Sequence, residues 1–178
     1  MESKRLAKGS ARIIIAILKH QAELILGEST LNAFVQELGD VIQDELLEKF
    51  DDWLSGKEEK IAEVAKNAEG CFQERIQAEY PELAKLSRDL PIADLPSVEE
   101  AVGKLSSSID DQELKSTLMK AIERDWKLKD GALRNKIAEE YRWCILGALG
   151  DIEDFRDEVI QKVLLEAARR IQEMQKSL

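Results

Sequence analysis

The chain has 178 residues, of which 44% are hydrophobic and 35% charged, and its formal net charge is −10. This length is typical of one compact domain, and the composition is too apolar for intrinsic disorder and too charged for a membrane-embedded protein. The acidic balance argues against a general nucleic-acid binder, because neutralising phosphates needs a clustered excess of lysine and arginine. Only 3 prolines and 9 glycines interrupt a composition rich in helix formers, which predicts a soluble all-α protein.

Hydrophobic periodicity predicts three helices in the first half of the chain. The first covers 7–26, where apolar residues recur at three- and four-residue steps, and Gly27 ends it. The second covers 31–54 without a break and combines one apolar stripe with a strongly acidic remainder. The third covers 57–79, and Pro81 discourages its continuation.

The segment 89–97 is the clearest interruption of the helical pattern. Pro91 and Pro96 each follow a leucine and hold the chain extended, and Ile92 indicates that the segment packs against the core. The expected boundaries are 1–178 for a single domain, with 1–88 and 97–178 as two sub-bundles that this segment joins.

Capping signals mark the helix starts in the second half. Ser97 with Glu100 has the spacing of a capping box. Asp110 with Glu113 has the same spacing. Further helices are expected over 97–105, 110–126 and 132–149, and from residue 151 onward. Together the elements predict a helical bundle of about seven helices.

Charge is unevenly distributed between the start of the chain and the second predicted helix. The first 20 residues carry five basic side chains and one acidic one, whereas residues 28–59 carry ten acidic and two basic ones. Solvated helix faces explain this pattern. The functional alternatives are an electrostatic contact between the two regions, in the same or a neighbouring molecule, and docking of the basic start on an acidic protein partner or an anionic surface. The candidate contact residues are Lys4, Arg5, Lys8 and Arg12 on the basic side, and Asp44, Glu48, Asp51 and Asp52 on the acidic side.

Trp143 is a further candidate contact residue. If Tyr141, Cys144 and Ile145 face the core of the helix over 132–149, Trp143 points well away from them. An exposed tryptophan often marks an interface. The alternative is that a second layer of helices covers this side chain.

Residues that carry chemistry are few and scattered. His20 is the only histidine, so the three or four protein ligands of a typical zinc site are lacking. Cys71 and Cys144 lie far apart without a CxxC motif, which indicates reduced, buried thiols. Gly103 and Lys104 lack the preceding glycine of a phosphate-binding loop. We therefore expect no catalytic centre, no metal and no cofactor.

Four short segments follow one another in a distinctive order: Asp89-Leu-Pro-Ile-Ala-Asp-Leu-Pro-Ser-Val98, Arg124-Asp-Trp126, Tyr141-Arg-Trp-Cys144 and Gly147-Ala-Leu-Gly-Asp-Ile-Glu-Asp-Phe155. In this order and spacing they resemble an N-terminal helical region that precedes the nucleotide-binding core of bacterial NACHT/NB-ARC-type signalling ATPases of the STAND class. The resemblance covers residues 8–175. It implies a helical adaptor or effector-associated module that recruits an effector or multimerises when the ATPase assembles. It also implies a nucleotide-binding signalling ATPase as partner, in the same or a neighbouring chain, and supplies no catalytic residues.

These patterns favour a non-enzymatic protein–protein interaction or adaptor domain that self-associates or recruits an effector in prokaryotic defence or stress signalling, in the cytoplasm. One alternative is a small helical enzyme whose carboxylates converge only in the fold, which predicts a deep pocket with several perturbed acids. Another is a peripheral membrane or nucleic-acid binder that uses the basic N-terminal helix. A transmembrane segment is not expected, because the apolar run 13–18 is much shorter than the about 20 residues of a span.

Overall fold

The computed structural model describes residues 2–39, 41–104 and 107–177, including the side chains of all but residues 2–8, 29 and 30. Every regular element in these ranges is helical. The α-helices are α1 (Glu2–Gly27), α2 (Ser29–Leu38), α3 (Val41–Ser55), α4 (Glu58–Glu79), α5 (Ala84–Asp89), α6 (Pro96–Val102), α7 (Asp111–Asp125), α8 (Gly131–Gly150) and α9 (Asp157–Lys176). Short 3₁₀ turns lie at Pro81–Leu83, Ile92–Asp94 and Glu153–Phe155. The predicted all-α bundle of about seven helices is confirmed, since α5 and α6 are short and the other seven have 10 residues or more.

The predicted second helix over 31–54 is wrong in one respect, because the chain breaks at Gly39 into α2 and α3. Gly39 has φ +96°, a backbone conformation that residues with a Cβ rarely adopt. Its N–H donates to the carbonyl groups of Val35 and Gln36, which closes the end of α2. The apolar stripe crosses the break, because Val35 and Ile42 are both buried. A continuous stripe in the sequence therefore does not require a continuous helix.

The two predicted capping boxes have different outcomes. The Ser97 box is wrong, because α6 begins at Pro96, has Leu95 as its N-cap and has no side-chain cap. Proline suits the first helical position since no hydrogen bond is needed from its nitrogen there. The Asp110 cap is confirmed, because its Oδ1 accepts from the backbone N–H of Glu113 at 2.7 Å.

Helix α9 begins at Asp157, later than the predicted start near residue 151. The intervening 3₁₀ turn, Glu153–Phe155, places Phe155 in the core. The Phe155 ring packs edge-on against the Trp53 ring of α3, with the centroids 6.2 Å apart. Burial of this aromatic ring explains why the chain makes a tight turn before α9 starts.

Helix α4 lies at the centre of the fold and packs against α1 and against α8. Helices α3 and α9 pack together and against α1, whereas α6 and α7 pack together and α7 packs on α8. The buried side chains form one cluster that includes residues from both sides of the 89–97 segment. This arrangement places the interior of the bundle between α1, α4 and α8.

The 89–97 segment packs down as predicted. Ile92, Ala93 and Leu95 are all buried. The backbone carbonyl of Leu90 accepts a hydrogen bond from the indole Nε1 of Trp126 at 2.9 Å. The segment is therefore hydrogen-bonded to the residue that ends α7, and its apolar side chains are part of the core.

Candidate functional site

The basic residues predicted at the N-terminus all lie on α1. The side chains of Lys4, Arg5 and Lys8 lie outside the described part of the structure. Arg12 forms an ion pair with Glu99 of α6, with Arg12 Nη1 and Glu99 Oε1 3.2 Å apart. Because both side chains are partly exposed, this pair contributes little to stability.

The predicted acidic residues lie on α3, after the break at Gly39. Asp44, Glu48 and Asp52 are exposed. Asp51 lies 3.4 Å from the ammonium nitrogen of Lys19 on α1, so part of the predicted attraction between the two regions occurs within one chain. A contact between the basic and acidic regions of different copies stays a prediction.

Trp143 lies on the outer side of α8, as the helical spacing predicted, and it is 62% exposed, so no described helix covers it. Leu146, one turn further along, is also exposed. No charged side chain occurs from residue 143 to residue 150, and the outward positions in this stretch are Trp143, Leu146, Gly147 and Gly150. We call these four residues the α8 face. A surface helix normally carries polar side chains on its outer side, so the α8 face is an exception.

An apolar cleft adjoins the α8 face where α1, α7 and α8 meet. Its volume is about 350 Å³, and its walls include Ile17 and Leu24 of α1, Leu114 of α7 and Leu146 of α8. Leu24 is itself 57% exposed. The cleft therefore extends the apolar surface from α8 onto α1.

Ion pairs neutralise the two acids that precede the α8 face on the same helix. Glu139 lies 2.8 Å from the ammonium group of Lys115 on α7. Glu140 pairs with Arg75 of α4. These two pairs tie α8 to its neighbours on both sides and leave little uncompensated negative charge beside Trp143.

A polar cluster lies in the interior at the junction of α1, α4 and α8. The hydroxyl of Ser10 donates a hydrogen bond to Oε1 of Glu69 and lies 2.8 Å from the hydroxyl oxygen of Tyr141. Tyr141 Oη also donates to Glu69 Oε1, at 3.4 Å. Ser10 and Tyr141 are fully buried, and Glu69 is 6% exposed. No described residue provides a hydrogen-bond partner for Glu69 Oε2.

Burial raises the pKa of Glu69 to about 7, although the hydrogen bonds from Ser10 and Tyr141 lower it and nearby Asp94 raises it further. Burial also raises the pKa of Tyr141 well above its ordinary value, and the charge of Glu69 adds to this effect. A protonated Glu69 removes the need to bury a charge, and its O–H is then a further donor. The cluster can therefore hold a proton at neutral pH inside the bundle.

The sequence reasoning missed this cluster. Glu69 occupies a helical position among the apolar residues of α4, one turn after Ala65 and one turn before Phe72. An acidic residue within an apolar stripe was the sequence signal that could have indicated a buried carboxyl group. Its partners are 59 residues away at Ser10 and 72 residues away at Tyr141, and no local motif connects them.

The two cysteines are closer in the fold than the sequence suggests. Both are free thiols, Cys144 is buried as predicted, and Cys71 is only half-buried. Burial raises the pKa of the Cys144 thiol, and a hydrogen bond with Cys71 raises it further. Cys144 is thus held as an unreactive thiol between α4 and α8.

Within the described ranges, no group of three or more His, Cys, Asp or Glu residues is arranged to hold a metal ion. No helix in that part of the chain has the length and apolar character needed to cross a membrane. His20, considered in the sequence as a metal ligand, lies in the wall of the apolar cleft.

Comparison of the chain with protein-family models, curated proteins and solved structures finds no match. The resemblance to the helical region of STAND-class ATPases therefore stays a prediction from the short segments that suggested it.

Proposed function

We propose that this chain is a non-enzymatic protein-interaction domain that contacts another protein through the α8 face. Its role as an adaptor in prokaryotic defence or stress signalling, next to a nucleotide-binding signalling ATPase, follows from the sequence resemblance and is part of the proposal. The single observation that carries the proposal is the 62% exposure of Trp143 within a charge-free stretch of a surface helix.

The physical reason is the free energy of covering this surface. Tryptophan is the residue type most enriched among those that dominate binding energy at interfaces. Leu146 and Leu24 extend the apolar surface beside Trp143, so a partner would remove several apolar side chains from water at once. The paired acids Glu139 and Glu140 lie at one edge of this apolar surface, as polar groups do at the rim of an interface.

The test is a site-specific photo-crosslink in cells that produce the chain. A photoreactive residue replaces Trp143, and the control replaces Met174, which is 66% exposed on α9. We expect a covalent adduct with a protein from position 143 and none from position 174. Equal adducts from both positions, or none from 143, would contradict the proposal.

The enzyme alternative has its strongest support in the Glu69 cluster, because perturbed carboxyl groups often belong to active sites. However, Ser10 and Tyr141 are fully buried. A substrate could reach these hydroxyl groups only if α1, α4 and α8 separated. The cluster therefore supports an enzyme less well than the α8 face supports an interaction domain.

A further inference from the structure

The geometry points to a second copy of this chain as the partner of the α8 face. In this arrangement two α8 helices pack antiparallel across a two-fold axis, and Trp143 of each copy lies over Gly147 of the other. The inference rests on the proposed function and names the partner of the same surface.

The first reason is shape. Gly147 lies one turn after Trp143 on the outer side of α8, and a Cβ added to it would have no atom within 4 Å. The α8 face therefore carries a large side chain beside a position with no side chain. In an antiparallel pair the large side chain of each copy meets the open position of the other, and a two-fold axis forms both contacts at once.

The second reason is charge. Lys136 is two helical turns before Trp143 on the same side, about 10 Å away along the axis. Asp151 follows Gly147 by four residues, about 6 Å along the axis. When Trp143 lies over Gly147 of the second copy, these opposite charges are offset by roughly 4 Å, which the flexible four-carbon stem of lysine can span.

Lys136 and Asp151 are both exposed, and neither has an ion pair with another described residue. In contrast, the acids Glu139 and Glu140 between them are paired within the chain. An antiparallel contact thus brings Lys136 of one copy near Asp151 of the other. In this register Asp151 also faces Glu139, whose charge is compensated within its own chain by Lys115 and Arg142. One helix face that carries both a positive and a negative end is complementary to itself, which is what a two-fold contact requires.

The first experiment measures self-association of the purified full chain by analytical ultracentrifugation over a series of concentrations. We expect a monomer–dimer equilibrium in the wild type. Trp143→Ala should weaken dimerisation at least about tenfold. The matched control Met174→Ala removes a side chain of similar exposure on α9 and should leave the dimer constant unchanged.

A second pair of variants separates the interface from folding. Gly147→Arg fills the open position and should abolish the dimer, whereas Gly70→Arg places the same side chain on α4, where a Cβ also has no atom within 4 Å. Both replace a glycine inside a helix, so neither should lower the melting temperature of the monomer. Loss of dimer in both variants, or in neither, overturns the inference.

A charge exchange tests the antiparallel register. Lys136→Glu alone should weaken the dimer several-fold, and so should Asp151→Lys alone, because each dimer contains two such pairs. The double variant should recover most of the wild-type affinity. Lys162→Glu, which changes an exposed lysine on α9, should have no effect.

The failure of this inference is distinguishable from the failure of the proposed function. If the purified chain is monomeric and residue 143 crosslinks to a different protein in cells, the second copy is the wrong partner and the interaction surface stands. If residue 143 crosslinks to nothing, both fail. A dimer that Trp143→Ala and Gly147→Arg do not weaken also overturns the inference.

Discussion

The inner and outer sides of α8 are built in opposite ways. On the inner side, Tyr141 places a hydroxyl group next to the buried carboxyl of Glu69. On the outer side, two residues later, Trp143 places an indole ring in water. A polar group inside and a large apolar group outside are the two arrangements that folding alone does not favour. On its inner side, α8 therefore adjoins a buried carboxyl group that is costly to ionise. On its outer side, it exposes an indole ring whose burial by a partner would favour binding.

The largest expected effect is a difference in stability between two tryptophan variants. Trp126 lies at the end of α7, and Trp143 lies on α8. Trp126 is 6% exposed and donates to the Leu90 carbonyl, so Trp126→Ala should lower the free energy of unfolding by about 3–5 kcal/mol. Trp143→Ala should change it by less than about 0.5 kcal/mol, because little buried area is lost. Urea denaturation at concentrations where the chain is monomeric measures both. Similar losses in the two variants would show that Trp143 supports the fold.

The second prediction concerns Glu69 on the inner side. A folded-state pKa of about 7, against the ordinary value of 4.5, means that the unfolded chain releases this proton first as the pH rises. The contribution of this group to stability is therefore fully present below pH 4.5 and is lost as the pH rises through about 7. At pH 8 the loss is about 3 kcal/mol.

Glu69→Gln keeps the shape and the hydrogen-bonding capacity of the protonated acid but cannot ionise. We expect this variant to be more stable than the wild type by up to about 3 kcal/mol at pH 8 and nearly equal to it at pH 4.5. The matched control is Glu74→Gln, which changes an exposed acid on the same helix and should not alter the pH profile. If the stabilities of wild type and Glu69→Gln changed with pH in parallel, Glu69 would not hold a proton at neutral pH.

The third and smallest prediction concerns Tyr141. Its ring packs edge-on against Phe72 with the centroids 5.1 Å apart, and Tyr141→Phe keeps this contact while removing the hydroxyl. We expect a loss of about 1–2 kcal/mol, because Ser10 and Glu69 lose a buried hydrogen-bond partner. Tyr80→Phe, at a partly exposed tyrosine, should cost less than about 0.5 kcal/mol. Equal effects of the two changes would indicate that the cluster adds no stability beyond an ordinary surface hydroxyl.

Periodicity was sufficient to predict the helical architecture and to place Trp143 away from the core side of its helix, but it left open whether another helix covers this side chain. Both depend on the angle between residues on one helix, which is a local property. The inward positions of Tyr141, Cys144 and Ile145 turn Trp143 away from the core, and only the packing of the other helices decides that it is exposed.

The interior cluster and the thiol contact depend on how helices pack against one another. Glu69 meets residues from two other helices, and Cys71 meets Cys144 across α4 and α8. No spacing within a single helix encodes these contacts. The break at Gly39 was missed for a different reason, since one glycine within a continuous apolar stripe carries less weight than the stripe itself.

The packing of α1 against α9 has a consequence for synthesis on the ribosome. Residues 27 and 157, which end α1 and begin α9, are separated by roughly ten seconds of translation at about 5–20 residues per second. During this interval the side of α1 that packs against α9 is not yet covered. Helix α4 emerges much earlier and also packs against α1. It can therefore cover part of the apolar surface of α1, which reduces aggregation and chaperone binding of the nascent chain before α9 is synthesised.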